Sequence, residues 1–159
     1  MPCSPILLAL CIGTVASTLA FPLGSFAQTE TCKFTLLASL DGGTGNGINH
    51  SDTIVGTYFP TGQAGFRGFI RDSDGRVKTY QVPGSQSTYL TGINDKGVIV
   101  GGFNYQPAAQ AYGFKLSARK FTPINYPGAG ITDPSGINNK GEIVGTEKVD
   151  ATSPVEDFC

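Results

Sequence analysis

Apolar residues in this chain come in short bursts separated by Gly, Pro, Asn and Asp, and no stretch beyond residue 27 holds a helical period. The most regular burst is an Ile-Val-Gly triplet, at Ile54-Val55-Gly56, Ile99-Val100-Gly101 and Ile143-Val144-Gly145. Turn-forming sequences precede it, Asn94-Asp95-Lys96-Gly97 and Asn139-Lys140-Gly141. Asn and Asp there bond their own backbone, and Gly accepts positive φ. Successive strand residues point to opposite faces, so Ile followed by Val predicts a strand covered on both sides. The preceding Thr53, Val98 and Glu142 are expected to face solvent, and the following Gly admits a close neighbouring backbone. A second strand is predicted at Gly68-Phe69-Ile70 and Gly113-Phe114-Lys115, and a third at residues 77–82 and 120–126. Asp74-Gly75 joins the second and third as a hairpin turn. The pattern predicts an all-β, antiparallel fold of short strands.

These elements recur in register. Segments beginning Gly47-Ile48-Asn49, Gly92-Ile93-Asn94 and Gly136-Ile137-Asn138 start 45 and then 44 residues apart. Gly68-Phe69 and Gly113-Phe114 each begin 21 residues after the first Gly of their repeat. Pro83-Gly84 and Pro127-Gly128 hold the same order further along. A period in the mid-forties with several short strands is the size of a propeller blade. We therefore expect a partial β-propeller-like arrangement, with a small β-sandwich as the alternative. Phe34 to Leu40, followed by Asp41-Gly42-Gly43, resembles the strand-and-turn before each later Gly-Ile-Asn. An N-terminal last strand and a C-terminal first strand are expected to pair and complete one sheet.

The N-terminus has a different character. Ile6 to Ala16 is an apolar run too short to span a bilayer as a helix. Ser25-Phe26-Ala27 places small residues where a signal peptidase needs them. No Lys or Arg precedes Ile6, so the α-amino group alone supplies the positive end. Residues 1–27 are expected to be a signal peptide and residues 28–159 one β-repeat domain in a secreted or periplasmic protein, with no membrane span once the signal is removed. Cleavage leaves Cys32 and Cys159 near the two ends of the exported chain. Paired, they would close nearly all of it into a loop, worth about 4–5 kcal/mol in the chain-entropy model. Two free or intermolecular thiols are the alternative.

Composition narrows the function. Only 14% of residues are charged and the formal net charge is −1, which argues against a basic nucleic-acid-binding surface. The one His, His50, lies in a turn where the other repeats carry Asp95 and Asn139. It is read as a turn residue, and no Gly-x-Ser-x-Gly elbow or zinc ligand set accompanies it. Asp72-Ser73-Asp74-Gly75 starts like a calcium loop but lacks the later ligands, and a hairpin turn is the simpler reading. No cofactor or metal is implied. Paired carboxylates of an exported glycoside hydrolase remain an alternative, since acids distant in sequence can meet in space.

Candidate binding residues lie between the first and second strands. Tyr58, Phe59, Thr61, Gln63 and Arg67 stand in one unit, and Asn104, Tyr105, Gln106 and Tyr112 in the next. Rings stack on the CH faces of sugars while amides take the hydroxyls. Arg67, Tyr58, Tyr105, Tyr112 and Gln106 are the residues expected to contact a ligand, with packing between sheets as the alternative for each.

The threefold Gly-Ile-Asn-x-x-Gly-x-Ile-Val-Gly, with Gly-Phe and Pro-Gly behind it, resembles the HAF family of extracellular repeat proteins from about Phe34 to Lys148. The resemblance implies an exported bacterial β-propeller-like protein, of a family with no established catalytic activity. Arg67 and Tyr112 stand where it implies His, and Asp52 where it implies a turn Gly. Only about two and a half repeats are present, against the 4–8 blades typical of closed propellers. The expected function is a secreted, non-catalytic module binding extracellular carbohydrate or a surface partner, with a homo-oligomer completing the ring. A purely structural repeat protein without a ligand is the main alternative.

Overall fold

The computed structural model describes residues 42–105, 110–149 and 154–159. Among them every regular element is a strand. The first sheet is a meander of β1 (Thr44–Ile48), β2 (Ile54–Tyr58), β3 (Arg67–Arg71) and β4 (Val77–Tyr80). A second meander follows with β5 (Ser87–Ile93), β6 (Ile99–Asn104), β7 (Ala111–Ser117) and β8 (Lys120–Ile124). The third holds β9 (Ile131–Ile137), β10 (Ile143–Lys148) and β11 (Glu156–Phe158), in the order β11-β10-β9. All pairings are antiparallel. The sheets stack face to face without closing, so the fold is all-β and propeller-like in its repetition.

Each sheet opens with a strand that the sequence pattern does not predict. It ends in the Gly-Ile of the motif, and its β-character is masked by Gly in β1 and by Pro134 in β9. Each of these strands carries a bulge at the same motif position. Asn46, Thr91 and Ser135 are the extra residues, sitting between Gly45 and Gly47, Leu90 and Gly92, and Pro134 and Gly136 in the pairing. A bulge re-aims its side chain. Asn46 Nδ2 donates to Leu90 O (2.8 Å), and Thr91 Oγ1 donates to Pro134 O (2.6 Å). The first two bulges thus tie their sheets to the next.

The first strand of each later sheet lies across the first three strands of the sheet before it: β5 packs on β1–β3 and β9 on β5–β7. The core forms between the first two sheets, from Val55 on one side and Leu90, Ile93, Ile99, Phe103 and Phe114 on the other. Close approach requires Gly at two points. A Cβ on Gly68 would lie 2.8 Å from Leu90 Cγ, and one on Gly113 would lie 2.8 Å from Pro134.

The third repeat runs further than its motif suggests. Phe69 and Phe114 sit opposite Gly56 and Gly101 in their sheets, and Phe158 sits opposite Gly145 in the same way. Asp157 takes the place of Gly68 and Gly113. The edge of β10 facing away from β9 is therefore filled by β11, the C-terminal strand, and Phe34 to Leu40 lie outside the described residues. Cys159 follows β11 with a free, exposed thiol, and Cys32 also lies outside the described residues.

Burial departs from the expectation for Ile-Val-Gly. Only the central sheet covers both residues, with Ile99 5% and Val100 0% exposed. Val55 is buried beside a half-buried Ile54, whereas Val144 is 47% exposed. The reason is position, because the outer sheets have a described neighbour on one side only. Of the three positions expected in solvent, Glu142 is exposed while Thr53 and Val98 are half-buried.

Candidate functional site

The meander places its connections at two ends with different chemistry. At one end lie the Gly-Ile-Asn turns, together with the β3–β4 and β7–β8 hairpins. Asn94 Oδ1 accepts from the N–H groups of Lys96 (3.1 Å) and Val98 (3.0 Å), which folds the turn. Its Nδ2 donates to Asn138 O in the next sheet (3.0 Å). Asn49 does the same, holding the N–H groups of Ser51 and Thr53 while donating to Asn94 O (3.2 Å). One side chain therefore builds its own turn and ties it to the following sheet, which is why the motif calls for Asn. A second ladder runs beside it. The His50 N–H donates to Asp95 Oδ1 (2.8 Å), and the Asp95 N–H donates to Asn139 Oδ1 (2.9 Å). The His50 N–H, followed by the Asn139 amide, holds the Asp95 carboxyl below its ordinary pKa. His50 thus lies in a turn, and its backbone serves the ladder. In the β3–β4 hairpin, Asp72 pairs with Lys78 (2.8 Å) and Asp74 with Arg76 (3.2 Å), so both carboxylates already face cations.

The opposite end carries the β2–β3, β4–β5 and β6–β7 loops, where the expected ligand residues fall. Tyr58 and Arg67 are cross-strand partners in the first sheet. The Arg67 guanidinium donates to Phe66 O (2.9 Å) and Gln86 O (2.8 Å), and touches Gln63 Oε1 at 3.4 Å. It clamps the loop ahead of β3 to the segment entering β5. The Gln86 N–H in turn donates to Asn104 O (2.9 Å), beside Tyr105. In the second sheet Tyr105 and Tyr112 flank Phe103, with ring centroids 5.4 Å from it in both cases. The Tyr112 hydroxyl bonds Gln110 Oε1 (2.5 Å). Gln106 lies outside the described residues. Tyr58 with Arg67 and Tyr105 with Tyr112 thus form two groups at one end of the stack, joined through Gln86.

Two further rings, Phe59, which the sequence named without choosing it, and Tyr126, which it did not name as a candidate, are better placed for a ligand. Phe59 is 56% exposed and packs at a tilt against Phe66, with ring centroids 4.0 Å apart. Tyr126, in the turn leading to β9, is 46% exposed. The sequence placed Phe59 in a loop but ran its third strand through Tyr126, whereas β8 ends at Ile124 and leaves Tyr126 in the turn.

The third notable cluster is closed to substrate. The Tyr89 hydroxyl lies against the Asp133 carboxyl, and burial, followed by that carboxyl's charge, pushes the phenol well above its ordinary value. Burial likewise raises Asp133, with the Tyr89 hydrogen bond opposing it. Asp133 Oδ1 and Glu147 Oε2 are buried without a hydrogen-bond partner. Among the described residues, no three His, Cys, Asp or Glu side chains converge as metal ligands, and no helix is long and apolar enough to cross a membrane. Compared with family models, curated proteins and solved structures, the chain finds no match in any of the three.

Proposed function

We propose that this is a secreted or periplasmic, non-catalytic repeat module of the HAF-like type that binds extracellular carbohydrate at the loop end of its sheets. The observation that carries this reading is the set of solvent-exposed rings gathered there, Phe59, Phe66, Tyr105 and Tyr126, on loops anchored by rigid strands. Gln63 and Gln110 supply amides beside them. Flat apolar rings next to hydrogen-bonding amides suit the two faces of a sugar, and loops on a rigid scaffold are where binding residues concentrate.

A glycan array probed with the full chain tests the proposal. Binding to a polysaccharide class that falls at least tenfold in Phe59→Ala and Tyr105→Ala is the expected result. Uniform absence of binding, or binding indifferent to both substitutions, would overturn it. One observation favours a scaffold without a ligand: Arg67, the leading polar candidate from the sequence, is engaged by main-chain carbonyls of its own chain. Under that reading Arg67→Ala lowers stability while the array stays blank.

A further inference from the structure

The contacts joining one sheet to the next occur twice within the chain, and their components recur at its two outer faces without a described partner. Asn46 reaches Leu90 O and Thr91 reaches Pro134 O; Ser135, the third bulge residue, is exposed. Asn49 reaches Asn94 O and Asn94 reaches Asn138 O; Asn138 Nδ2 instead turns back to Glu142 Oε2 of its own turn. Val55 and Val100 are fully covered, while Val144 at the same position is 47% exposed. Together Ser135, Val144, Thr146, Asp157 and Cys159 line an open groove of about 430 Å³ on β9–β11. At the far end of the stack β1 has no sheet stacked on its outer side among the described residues, and Ile48 is 61% exposed.

We propose that β1 of a second copy docks across β9–β11, repeating between molecules the packing that β5 and β9 make within one. Continuity with these internal interfaces identifies the occupant. Inside the chain the later sheet contributes chiefly its first strand, and β1 is such a strand, exposed along most of its length. Steric fit supports the same partner. At both internal contacts a side chain on the incoming strand, Leu90 or Pro134, meets a Gly on the receiving sheet, Gly68 or Gly113. At the outer faces the sizes are reversed: the incoming position is Gly45 and the receiving position is Asp157. The pair still combines one side chain with one Gly. In the docked pair Ser135 would donate to Gly45 O of the second copy, and Asn138 Nδ2 to Asn49 O of that copy. The contact is head-to-tail, so each molecule keeps one donor face and one acceptor face, and association closes into a ring or extends.

Sedimentation velocity of the full chain in reductant, across a wide concentration range, tests this. A species heavier than the monomer is expected, with Ile48→Asp and Val144→Asp each weakening association at least tenfold. An equimolar mixture of the two variants should then give a dimer that neither forms alone, because one intact contact remains between them. Cys159 in the unmutated assembly should alkylate at least tenfold more slowly than in Val144→Asp. Circular dichroism identifies folded variants, and concentration-dependent Cys159 protection gives a readout needing no substitution. A monomer at every concentration, or an assembly indifferent to both substitutions, overturns the proposal. A mixture that stays monomeric also overturns it, as does Cys159 reactivity independent of concentration.

Discussion

Ile99 and Val100 in the central sheet occupy the same motif positions as Ile143 and Val144 in the third, yet their surroundings differ. The central pair is 5% and 0% exposed, whereas Val144 is 47% exposed. The turns show the same contrast. Asn94 is 4% exposed between Asn49 and Asn138, and its two outer counterparts are more open. Closely similar local sequence thus produces matching strands, turns and bulges in both sheets. It does not produce identical burial, because burial comes from whichever sheet lies alongside. The motif acts as a two-sided connector, and its energetic weight depends on how many sides are occupied.

Core truncation should expose that difference most strongly. Phe114→Ala is expected to cost about 3–5 kcal/mol, as buried Phe deletions do, because Phe114 is fully buried between two sheets. Phe158→Ala, at the same position in the third sheet and half-buried, should cost less than half as much. Urea unfolding of both variants measures it, and equal losses would refute the positional account.

The turn ladder should show a smaller version of the same effect. Asn94→Ala removes two N–H acceptor contacts and the donor to Asn138 from a buried site, for a loss of about 2–3 kcal/mol at ~1 kcal/mol per bond. Asn138→Ala removes contacts within its own exposed turn and should cost about 1 kcal/mol. Thermal melting compares the two.

Close packing gives the next pair. Gly113→Ala forces a Cβ against Pro134 and should destabilise by about 1–3 kcal/mol, the usual range for overpacking. Asp157→Ala, at the equivalent exposed position, should leave the monomer's denaturation midpoint nearly unchanged.

The smallest effect concerns pH and the interface between the central and third sheets. Burial raises the Asp133 pKa in the folded protein, so the folded state holds that proton more tightly than the unfolded chain. Its contribution is therefore fully present below the ordinary carboxylate value. It is lost as pH rises through the raised folded value. Asp133→Asn should flatten that slope in melting curves recorded from acid to neutral pH; an unchanged slope would assign the effect elsewhere.

Much of this architecture was legible in the chain. The repeat spacing, the Asn-x-x-Gly turns, the Ile-Val-Gly strand and the Gly-Phe strand all come from local chemistry acting over a few residues. The third Gly-Phe equivalent was also within reach. Extending the 21-residue interval from Gly136 lands on Asp157, with Phe158 next. Asp in place of Gly hid it, because the sheet there has no described neighbour requiring a bare backbone. The opening strand of each sheet was harder to see, since Gly and Pro134 lower apparent strand propensity, and bulged pairing makes both acceptable. The expected ligand residues fared unevenly. Tyr105 and Tyr112 meet around Phe103, whereas Arg67 became a clamp on two carbonyls, a role set by a loop nineteen residues away.

By itself, then, the sequence determined the period, the strand and turn types, and the antiparallel all-β class. These depend on side-chain alternation and backbone preferences within a few residues. Only the tertiary structure decided which copies of the motif are buried, where Arg67 donates, and which rings reach solvent. Those outcomes depend on what lies across an interface between sheets, and three nearly identical motifs cannot encode which of them will have a neighbour on both sides.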